Sequence, residues 1–302
     1  MARSVLVGSS LTALALLAVP AAGADDIPTG TQPIAYAARP LTVPALTLAP
    51  RLDGTVDKLS LGTASQIYKT DPKFWNVAVA LGASVGIVEN IEVGAVVAPL
   101  QVLPSVVYGN PSVHGTFRFV KGGFELAAFI GTTFITHAGV DPQITLPVLN
   151  SGAGVVFNPG LLSRIHMGSR AKLDIGATVP IQLGSAVHDL GLNVPVELAF
   201  NLIESFHIGA TSGFGIANVK APALNSYIPL GFIAGVAFGS EDKPVVDVGA
   251  LFRWPQFANP GAQAPMMAMG SGMTPASTGP TQTIDVQDFQ VGLSVAAYLY
   301  FM

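Results

Sequence analysis

The chain has 302 residues, of which 50% are hydrophobic and only 11% are charged, and its formal net charge is -4. Soluble domains usually carry about 25% charged residues, so this composition excludes an ordinary surface that faces water on all sides. The mild negative charge excludes a basic nucleic-acid-binding surface, and the absence of cysteine excludes disulfides, thiolate metal sites and a cysteine nucleophile.

The N-terminus has the three parts of a secretory signal peptide. Arg3 supplies positive charge, residues 5–19 are mostly apolar, and Ala22-Gly23-Ala24 precedes Asp25 as a small-residue cleavage site. We therefore predict a signal peptide over residues 1–24, export from the cytoplasm, and a periplasmic N-terminal segment over residues 25–40. An N-terminal membrane anchor is the alternative interpretation of the same residues.

Beyond residue 24 the hydrophobic residues alternate with polar or small ones. No later run reaches the ~18–20 apolar residues of a transmembrane helix. In residues 171–183, for example, Leu173 and Ile175 fall on one face of an extended chain, and Lys172 and Asp174 fall on the other. A period of two over such segments indicates β-strands with one apolar face.

Twelve strands are predicted in chain order. Most are longer than the ~5–6 residues of a typical sandwich strand and match the ~9–11 residues of a tilted strand that crosses a bilayer. A soluble periplasmic β-sandwich remains the alternative, because it also produces strands with one apolar face. The strands are expected near residues 42–52, 74–87, 91–103, 112–120, 124–136, 158–167, 171–183, 193–202, 206–216, 227–239, 244–255 and 286–301.

The connections alternate between short and long. The second and third strands are separated by Glu89-Asn90 alone, whereas longer connections such as 137–157 and 256–285 follow odd-numbered strands. Short turns at one end and long loops at the other are typical of outer-membrane barrels. Because lipid offers the backbone no hydrogen-bonding partner, such a sheet has to close on itself.

Apolar–polar–apolar–small tetrads recur after the tight turns, at 91–94, 124–127, 173–176, 206–209 and 246–249. With these features, residues 41–302 resemble the bacterial outer-membrane β-barrel proteins of the porin-like transporter type. The resemblance implies an all-β fold, a closed antiparallel transmembrane barrel of about twelve strands, with ten or fourteen as alternatives. It also implies a Gram-negative outer membrane, whose lipids and barrel-insertion machinery are the expected partners. The C-terminal Tyr298-Leu299-Tyr300-Phe301 fits the insertion signal of the family, and Met302 departs from it.

The ionisable residues of the polar face lie mostly toward the short-turn end. Counting back across the tight turns places Arg118 opposite Glu125 and Arg164 opposite Asp174. Two interpretations stay open: a charged constriction that selects solutes, or a salt-bridge network that stabilises the barrel. The predicted pore-lining residues are Glu92, Arg118, Glu125, Arg164, Lys172, Asp174, Glu197, His207 and Asp247.

Other positions of the predicted strands have expected roles. Small residues of the polar face, such as Gly82 and Gly235, leave room in the lumen, or they let a loop or the N-terminal segment fold inside as a plug. Aromatic residues near strand ends on the apolar face are expected to form girdles at the membrane interfaces. These aromatic residues are Trp75, Phe206, Trp254, Phe289 and Phe301.

The resemblance implies an outer-membrane channel or transporter for the passive passage of small solutes. A non-conducting structural, adhesive or receptor barrel that acts through loops 137–157 and 256–285 is the alternative. A lipid-modifying enzyme is a third hypothesis, but no Gly-x-Ser-x-Gly motif is present, and we expect no catalytic residues, no cofactor and no nucleic-acid partner. The methionines at 266, 267, 269 and 273 suit Cu(I), but a flexible surface loop is the simpler interpretation, and no metal site is predicted.

Overall fold

A computed structural model describes residues 32–60, 73–103, 106–135, 154–184, 188–216, 219, 226–240, 243–258 and 286–301. Over these residues the chain forms one 3-10 helix, Tyr36–Ala38, and sixteen β-strands. The strands are β1 (Thr47–Ser60), β2 (Lys73–Val88), β3 (Ile91–Leu103), β4 (Val107–Tyr108), β5 (Ser112–Val120), β6 (Phe124–Ile135), β7 (Gly154–Met167), β8 (Ala171–Thr178), β9 (Ile181–Gly184), β10 (His188–Leu190), β11 (Leu192–Ile203), β12 (Phe206–Ile216), β13 (Ser226–Ser240), β14 (Lys243–Ala258), β15 (Val286–Ala297) and β16 (Leu299–Tyr300).

Twelve of these strands close into an antiparallel barrel. β1 pairs with β2 on one side and with β15 on the other, so the first and last long strands seal the sheet. The remaining pairings follow the order β2, β3, β5, β6, β7, β8, β11, β12, β13, β14 and β15. The predicted closed barrel of about twelve strands is thus confirmed, and the alternative prediction of a β-sandwich is wrong.

Four short strands are interruptions or additions to this wall. β8 and β9 both pair with β7 and are separated by Val179-Pro180, where proline cannot donate a ladder hydrogen bond. β10 pairs with β9, and β4 pairs with β3. β16 continues β15 along β1 after Tyr298.

The distribution of side chains is the reverse of that in a soluble protein. Large apolar side chains in the middle of strands are exposed on the outer face, including Leu293 (62%), Ile130 (53%) and Leu161 (51%). Inside the barrel, Lys172 and Glu125 are each 1% exposed. The outer face therefore suits hydrocarbon, and the polar face points into the lumen.

The connections define the two ends of the barrel. Short turns join β2 to β3, β5 to β6, β7 to β8, β11 to β12 and β13 to β14, and we call this the short-turn end. The opposite end, the long-loop end, carries the longer connections, most of which lie outside the described residues. The predicted signal peptide, the greater part of loops 137–157 and 256–285, and the four loop methionines also lie outside the described residues.

Three of the predicted girdle residues, Trp75, Trp254 and Phe289, lie in one aromatic cluster with Phe252 at the long-loop end. The ring of Phe289 lies 5.9 Å from that of Trp75 and 6.0 Å from that of Phe252, which in turn lies 4.6 Å from Trp254. The Nζ atom of Lys58 lies 5.7 Å from the Phe289 ring centroid. Aromatic rings beside an amine are suited to the boundary between hydrocarbon and water.

The first strand differs from the prediction. β1 begins at Thr47 rather than near residue 42, and residues 32–45 precede it inside the barrel. We call these residues the lumen segment. Among the described residues, no helix has the length and apolar character that a membrane crossing by a helix requires.

Candidate functional site: a lumen occupied by the N-terminal segment

The lumen segment is buried among the strands at the short-turn end. Ala37, Thr42 and Arg39 are 0%, 1% and 5% exposed, respectively. Residues 32–40 were predicted as part of a periplasmic segment, and the structure places them inside the barrel. Apart from an isolated parallel bridge between Ala45 and Gly86, the segment does not pair with a strand, so its other backbone polar groups need partners from side chains of the wall.

Arg39 is the most extensively bonded side chain of the lumen segment. Its guanidinium forms a two-pronged ion pair with Asp247, in which Nη1 bonds one carboxylate oxygen and Nη2 lies 2.9 Å from the other. Nε and Nη2 also donate to the carbonyls of Pro33 (3.0 Å) and Ile34 (3.1 Å). Burial disfavours the charge, but the bonds to Asp247 outweigh burial and raise the pKa of Arg39 above its ordinary value. The Tyr298 ring lies 5.7 Å from the guanidinium carbon.

Tyr36 is enclosed by three polar side chains of the wall. Its hydroxyl donates to Glu197 (2.9 Å), its ring stacks on His207 at 4.0 Å, and Lys172 Nζ lies 3.8 Å from the ring centroid. Burial, followed by the charge of Glu197, raises the pKa of the Tyr36 hydroxyl well above its ordinary value. The neutral phenol is therefore the form that the lumen holds.

The backbone of the lumen segment is bonded on both its acceptor and donor sides. Arg164 Nη1 donates to the carbonyls of Arg39 (2.6 Å) and Pro40 (2.9 Å), and His166 Nδ1 lies 2.9 Å from the carbonyl of Ala37. Three backbone amides of the segment donate to side chains of the wall: Ala37 to Asn201 (2.7 Å), Leu41 to Glu125 (2.7 Å) and Val43 to Glu92 (2.8 Å).

Gly86 permits the close approach of the lumen segment to β2. A Cβ atom at this position would lie 1.9 Å from the carbonyl oxygen of Pro44 and 2.5 Å from that of Val43, far inside van der Waals contact. The chain then turns into β1 at Leu46, which has a positive φ of 54° and donates from its amide to the Gly86 carbonyl (2.7 Å).

The structure brings all nine predicted pore-lining residues to the short-turn half of the lumen, where they form connected groups. Arg164 and Asp174 are directly paired, as predicted, with bonds of 2.6 and 2.7 Å. Lys172 Nζ links Asp174 (2.8 Å) to Glu197 (3.1 Å). The pore-lining role of these residues stays a prediction, because in this structure they bind each other and the lumen segment.

One predicted register is wrong. Arg118 pairs with Ala127 rather than with Glu125, because Val120 pairs with Leu126 across the turn, which makes the turn between β5 and β6 wider than predicted. The two side chains still meet diagonally, and Arg118 Nη1 donates to Glu125 Oε1 at 2.7 Å. Glu125 is also the acceptor for the lumen segment, so it joins the wall to the segment.

A serine, a histidine and a carboxylate meet in the lumen, which the sequence did not indicate. His114 Nε2 lies 3.5 Å from both Ser84 Oγ and Glu92 Oε1. A hydrolytic triad uses one ring nitrogen for the serine and the other for the acid, whereas here one nitrogen faces both at the outer limit of a hydrogen bond. Glu92 also accepts from the lumen segment, which gives the group a structural role. Within the described residues, no group of three or more His, Cys, Asp or Glu side chains could hold a metal ion.

A cavity of about 580 Å³ lies beside the lumen segment. Tyr36 and Arg39 line it from the segment, and Asp247, Tyr298 and Arg51 line it from the wall. We call this cavity the chamber. Ligand pockets usually have volumes of ~300–1,000 Å³, so the chamber has room for a small solute.

Sequence reasoning did not assign roles to several residues of this site. Arg39 and Tyr36 lay outside the predicted barrel domain, and Tyr298 was not among the predicted pore-lining residues. A basic and an aromatic residue three positions apart, just before the first strand, are the only local signal for the docking of the segment. Their partners Asp247 and Glu197 are more than 150 positions away.

Comparison with known proteins supports the class of fold. No family model and no curated protein matches the sequence. Among solved structures, an outer-membrane channel from Pseudomonas putida F1 is similar, with a TM-score of 0.55 and 8% identity over 85% of this chain and 97% of that one. The NanC porin is also similar, with a TM-score of 0.51 and 7% identity over 82% of this chain and 98% of the porin. The chain has the fold of the outer-membrane β-barrel proteins, and these two structural neighbours are a channel and a porin.

Proposed function

We propose that the protein is an outer-membrane channel for the passive passage of small solutes. The observation that carries the proposal is the closed barrel with an apolar outer face and a polar lumen that contains a solute-sized chamber. The two structural neighbours named above support it as analogues of fold. Signal-peptide-directed export to a Gram-negative outer membrane, and contacts with its lipids and insertion machinery, belong to the same proposal.

The lumen segment acts in this proposal as a gate at the short-turn end. It is held by hydrogen bonds and ion pairs such as those of Arg39 with Asp247, and the chain has no cysteine that could fix it covalently. Withdrawal of the segment leaves Glu92, Glu125 and Glu197 to line the open path. The predicted constriction and the predicted salt-bridge network are then two states of the same residues.

A non-conducting barrel is the second candidate, favoured by the number of contacts that hold the lumen segment. In that case the segment is a permanent plug, and the protein acts as a structural or receptor element through its long loops. An enzymatic role is not proposed, because the geometry of Ser84, His114 and Glu92 does not match that of a hydrolytic triad.

Single-channel conductance in planar bilayers tests the proposal, with Gly86→Ala as the informative variant. The added methyl group has to displace the segment at Pro44 and Val43, so we expect the open probability to rise at least tenfold over the wild-type protein. Gly54→Ala is the matched control, because nothing lies within 4 Å of a Cβ at that position. Insertion of the Gly86→Ala variant with no conductance would contradict the channel proposal and favour the plugged barrel.

A further inference from the structure

Arg39 of the lumen segment fills a cation site that belongs to the barrel wall. We propose that this site binds the guanidinium group of a small solute in exchange for Arg39, and that the chamber therefore takes solutes of the arginine type. The inference deepens the proposed function by naming a solute class for the same lumen. It rests on the lumen segment being an internal ligand that an external one can replace.

The wall part of the site is formed independently of the segment. The Tyr298 hydroxyl donates to Asp247 Oδ2 at 2.7 Å and orients the carboxylate, and its ring lies beside the guanidinium. A carboxylate presented in this way to a planar fork of N–H donors is the preferred partner of a guanidinium rather than of an ammonium. Since Asp247 lies on β14 and Tyr298 follows β15, both remain in place when Arg39 moves.

The site is reachable from the chamber. Arg39, Asp247 and Tyr298 all line the chamber, and the Asp247 side chain is 20% exposed while that of Arg39 is 6% exposed. A solute that enters the chamber therefore meets one face of the carboxylate before Arg39 has to leave. The carbonyls of Pro33 and Ile34, which accept from Arg39, are available to the incoming guanidinium if only the Arg39 side chain swings aside.

A second charged group lies at the same level of the barrel. Asp247 pairs with Ala296 and Ala296 pairs with Arg51, so Asp247 and Arg51 are two strands apart, roughly 10 Å between backbones. The Arg51 side chain is 52% exposed and lines the chamber, and its Nε donates to Asp53 at 2.7 Å, so a solute carboxylate has to meet its Nη atoms. A solute with a guanidinium at one end and a carboxylate at the other can reach both Asp247 and Arg51, as the free amino acid arginine does.

The charged side chains of the wall around the chamber balance one another. Asp53, Glu197 and Asp247 line the chamber together with Arg51, Arg164 and Arg253, and Arg39 of the lumen segment adds one positive charge. Replacement of Arg39 by a solute guanidinium therefore keeps the net charge of the chamber and leaves Asp247 with a cationic partner, whereas replacement by a neutral or anionic solute does not.

Arg39 competes with the solute for Asp247 and so sets the solute concentration that exchange requires. A group tethered by a short chain acts at an effective concentration of about millimolar, so a free guanidinium of equal intrinsic affinity has to be present at millimolar concentration to replace Arg39. Removal of Arg39 should therefore strengthen solute binding, which is the opposite of what the loss of an ordinary binding residue does.

Isothermal titration calorimetry of the full protein in detergent tests this inference, with L-arginine, L-citrulline and agmatine as probes. We expect L-arginine to bind in the millimolar range, and L-citrulline, in which a neutral ureido group replaces the guanidinium, to bind at least tenfold more weakly. Arg39→Gln should tighten L-arginine binding at least tenfold, and Asp247→Asn should weaken it at least tenfold. Arg51→Gln should weaken binding of L-arginine but not of agmatine, which lacks the carboxylate.

Equal affinity for L-arginine and L-citrulline, or unchanged affinity in Arg39→Gln, would overturn the inference. If Asp247→Asn does not fold, Tyr298→Phe replaces it, because this variant keeps the ring and loses the hydroxyl that orients Asp247; we expect severalfold weaker binding. Binding in detergent does not depend on conduction. Loss of conductance with retained arginine binding thus refutes the channel, and conductance without arginine binding refutes the solute class alone.

Discussion

Two ion pairs at the short-turn end show how strongly the position of a residue decides its contribution. The side chains of Arg118 and Glu125 are 9% and 1% exposed and meet at 2.7 Å inside the lumen. Those of Lys121 and Glu89 are 50% and 41% exposed and meet at 3.0 Å outside it. Removing one partner of a buried pair leaves an uncompensated charge, whereas an exposed pair is screened by water and ions.

Glu125→Gln is therefore expected to lower the free energy of unfolding by about 3–5 kcal/mol, because Arg118 keeps its charge in a buried place. Lys121→Gln, the control for the exposed pair, should cost about 0–1 kcal/mol. Urea unfolding of both variants in the same lipid or detergent measures the difference. Equal effects of the two substitutions would refute the burial argument.

At the scale of elements, the lumen segment and the strands are stabilised in different ways. The strands satisfy their backbones through the ladder of the closed sheet, but the segment depends on side chains such as Asn201, Glu125 and Arg164. None of these contacts is a ladder hydrogen bond of the closed sheet. In the proposed gate, the segment is therefore the element that moves while the ladder of the wall stays paired.

The pH dependence of Tyr36 tests the docking of the segment. Burial raises the pKa of Tyr36 above its ordinary value of 10.0, so the folded protein favours the protonated phenol. Its contribution to stability is complete below about pH 10 and is lost as the pH rises through the raised pKa. Glu197 and Asp174 raise this pKa further, and the opposing charge of Arg164 does not reverse the direction.

The expected result is that the stability difference between wild-type protein and Tyr36→Phe shrinks between about pH 9 and about pH 11. The phenylalanine variant lacks the hydrogen bond to Glu197 and cannot ionise at position 36. Its stability at each pH is therefore the reference for the wild-type protein. Urea unfolding at the two pH values measures the difference. A constant difference across this range would show that the Tyr36 hydroxyl is not held in a buried site.

At the scale of the whole molecule, the inverted distribution of side chains defines the solvent on each side of the wall. Apolar side chains such as Leu293 and Ile130 cover the outside, and charged ones such as Lys172 fill the inside. Such a molecule requires a membrane, because in water its outer face would be a continuous apolar surface.

Leu293→Arg tests the contact of this face with hydrocarbon. Leu293 is 62% exposed near the middle of β15, where an arginine that faces lipid should cost about 2–4 kcal/mol of folding free energy. Leu299→Arg is the control, because Leu299 is 49% exposed at the short-turn end, where the cost should be about 0–1 kcal/mol. Folding titrations in vesicles measure both; equal costs would contradict the assignment of the outer face to the membrane core.

The sequence by itself determined the wall of this protein. The alternation of Leu173, Ile175 and their polar neighbours is a local property of an extended chain, and the lengths of the connections record the end at which each pair of strands is joined. Strand number, the polar face and the pairing of Arg164 with Asp174 followed from these local patterns. The diagonal contact of Arg118 with Glu125 did not, because the register depends on the width of the turn, and Val120 pairs with Leu126 across this one.

Only the tertiary structure decided what fills the lumen. Arg39 and Asp247 are 208 positions apart, and no periodicity links them. The lumen segment has a docking site because the closed barrel brings side chains of many strands to one level. The alternation of residues within a single strand carries no information about which strands meet at that level. In the closed barrel, charged residues that were predicted to form a constriction are instead the partners of the lumen segment.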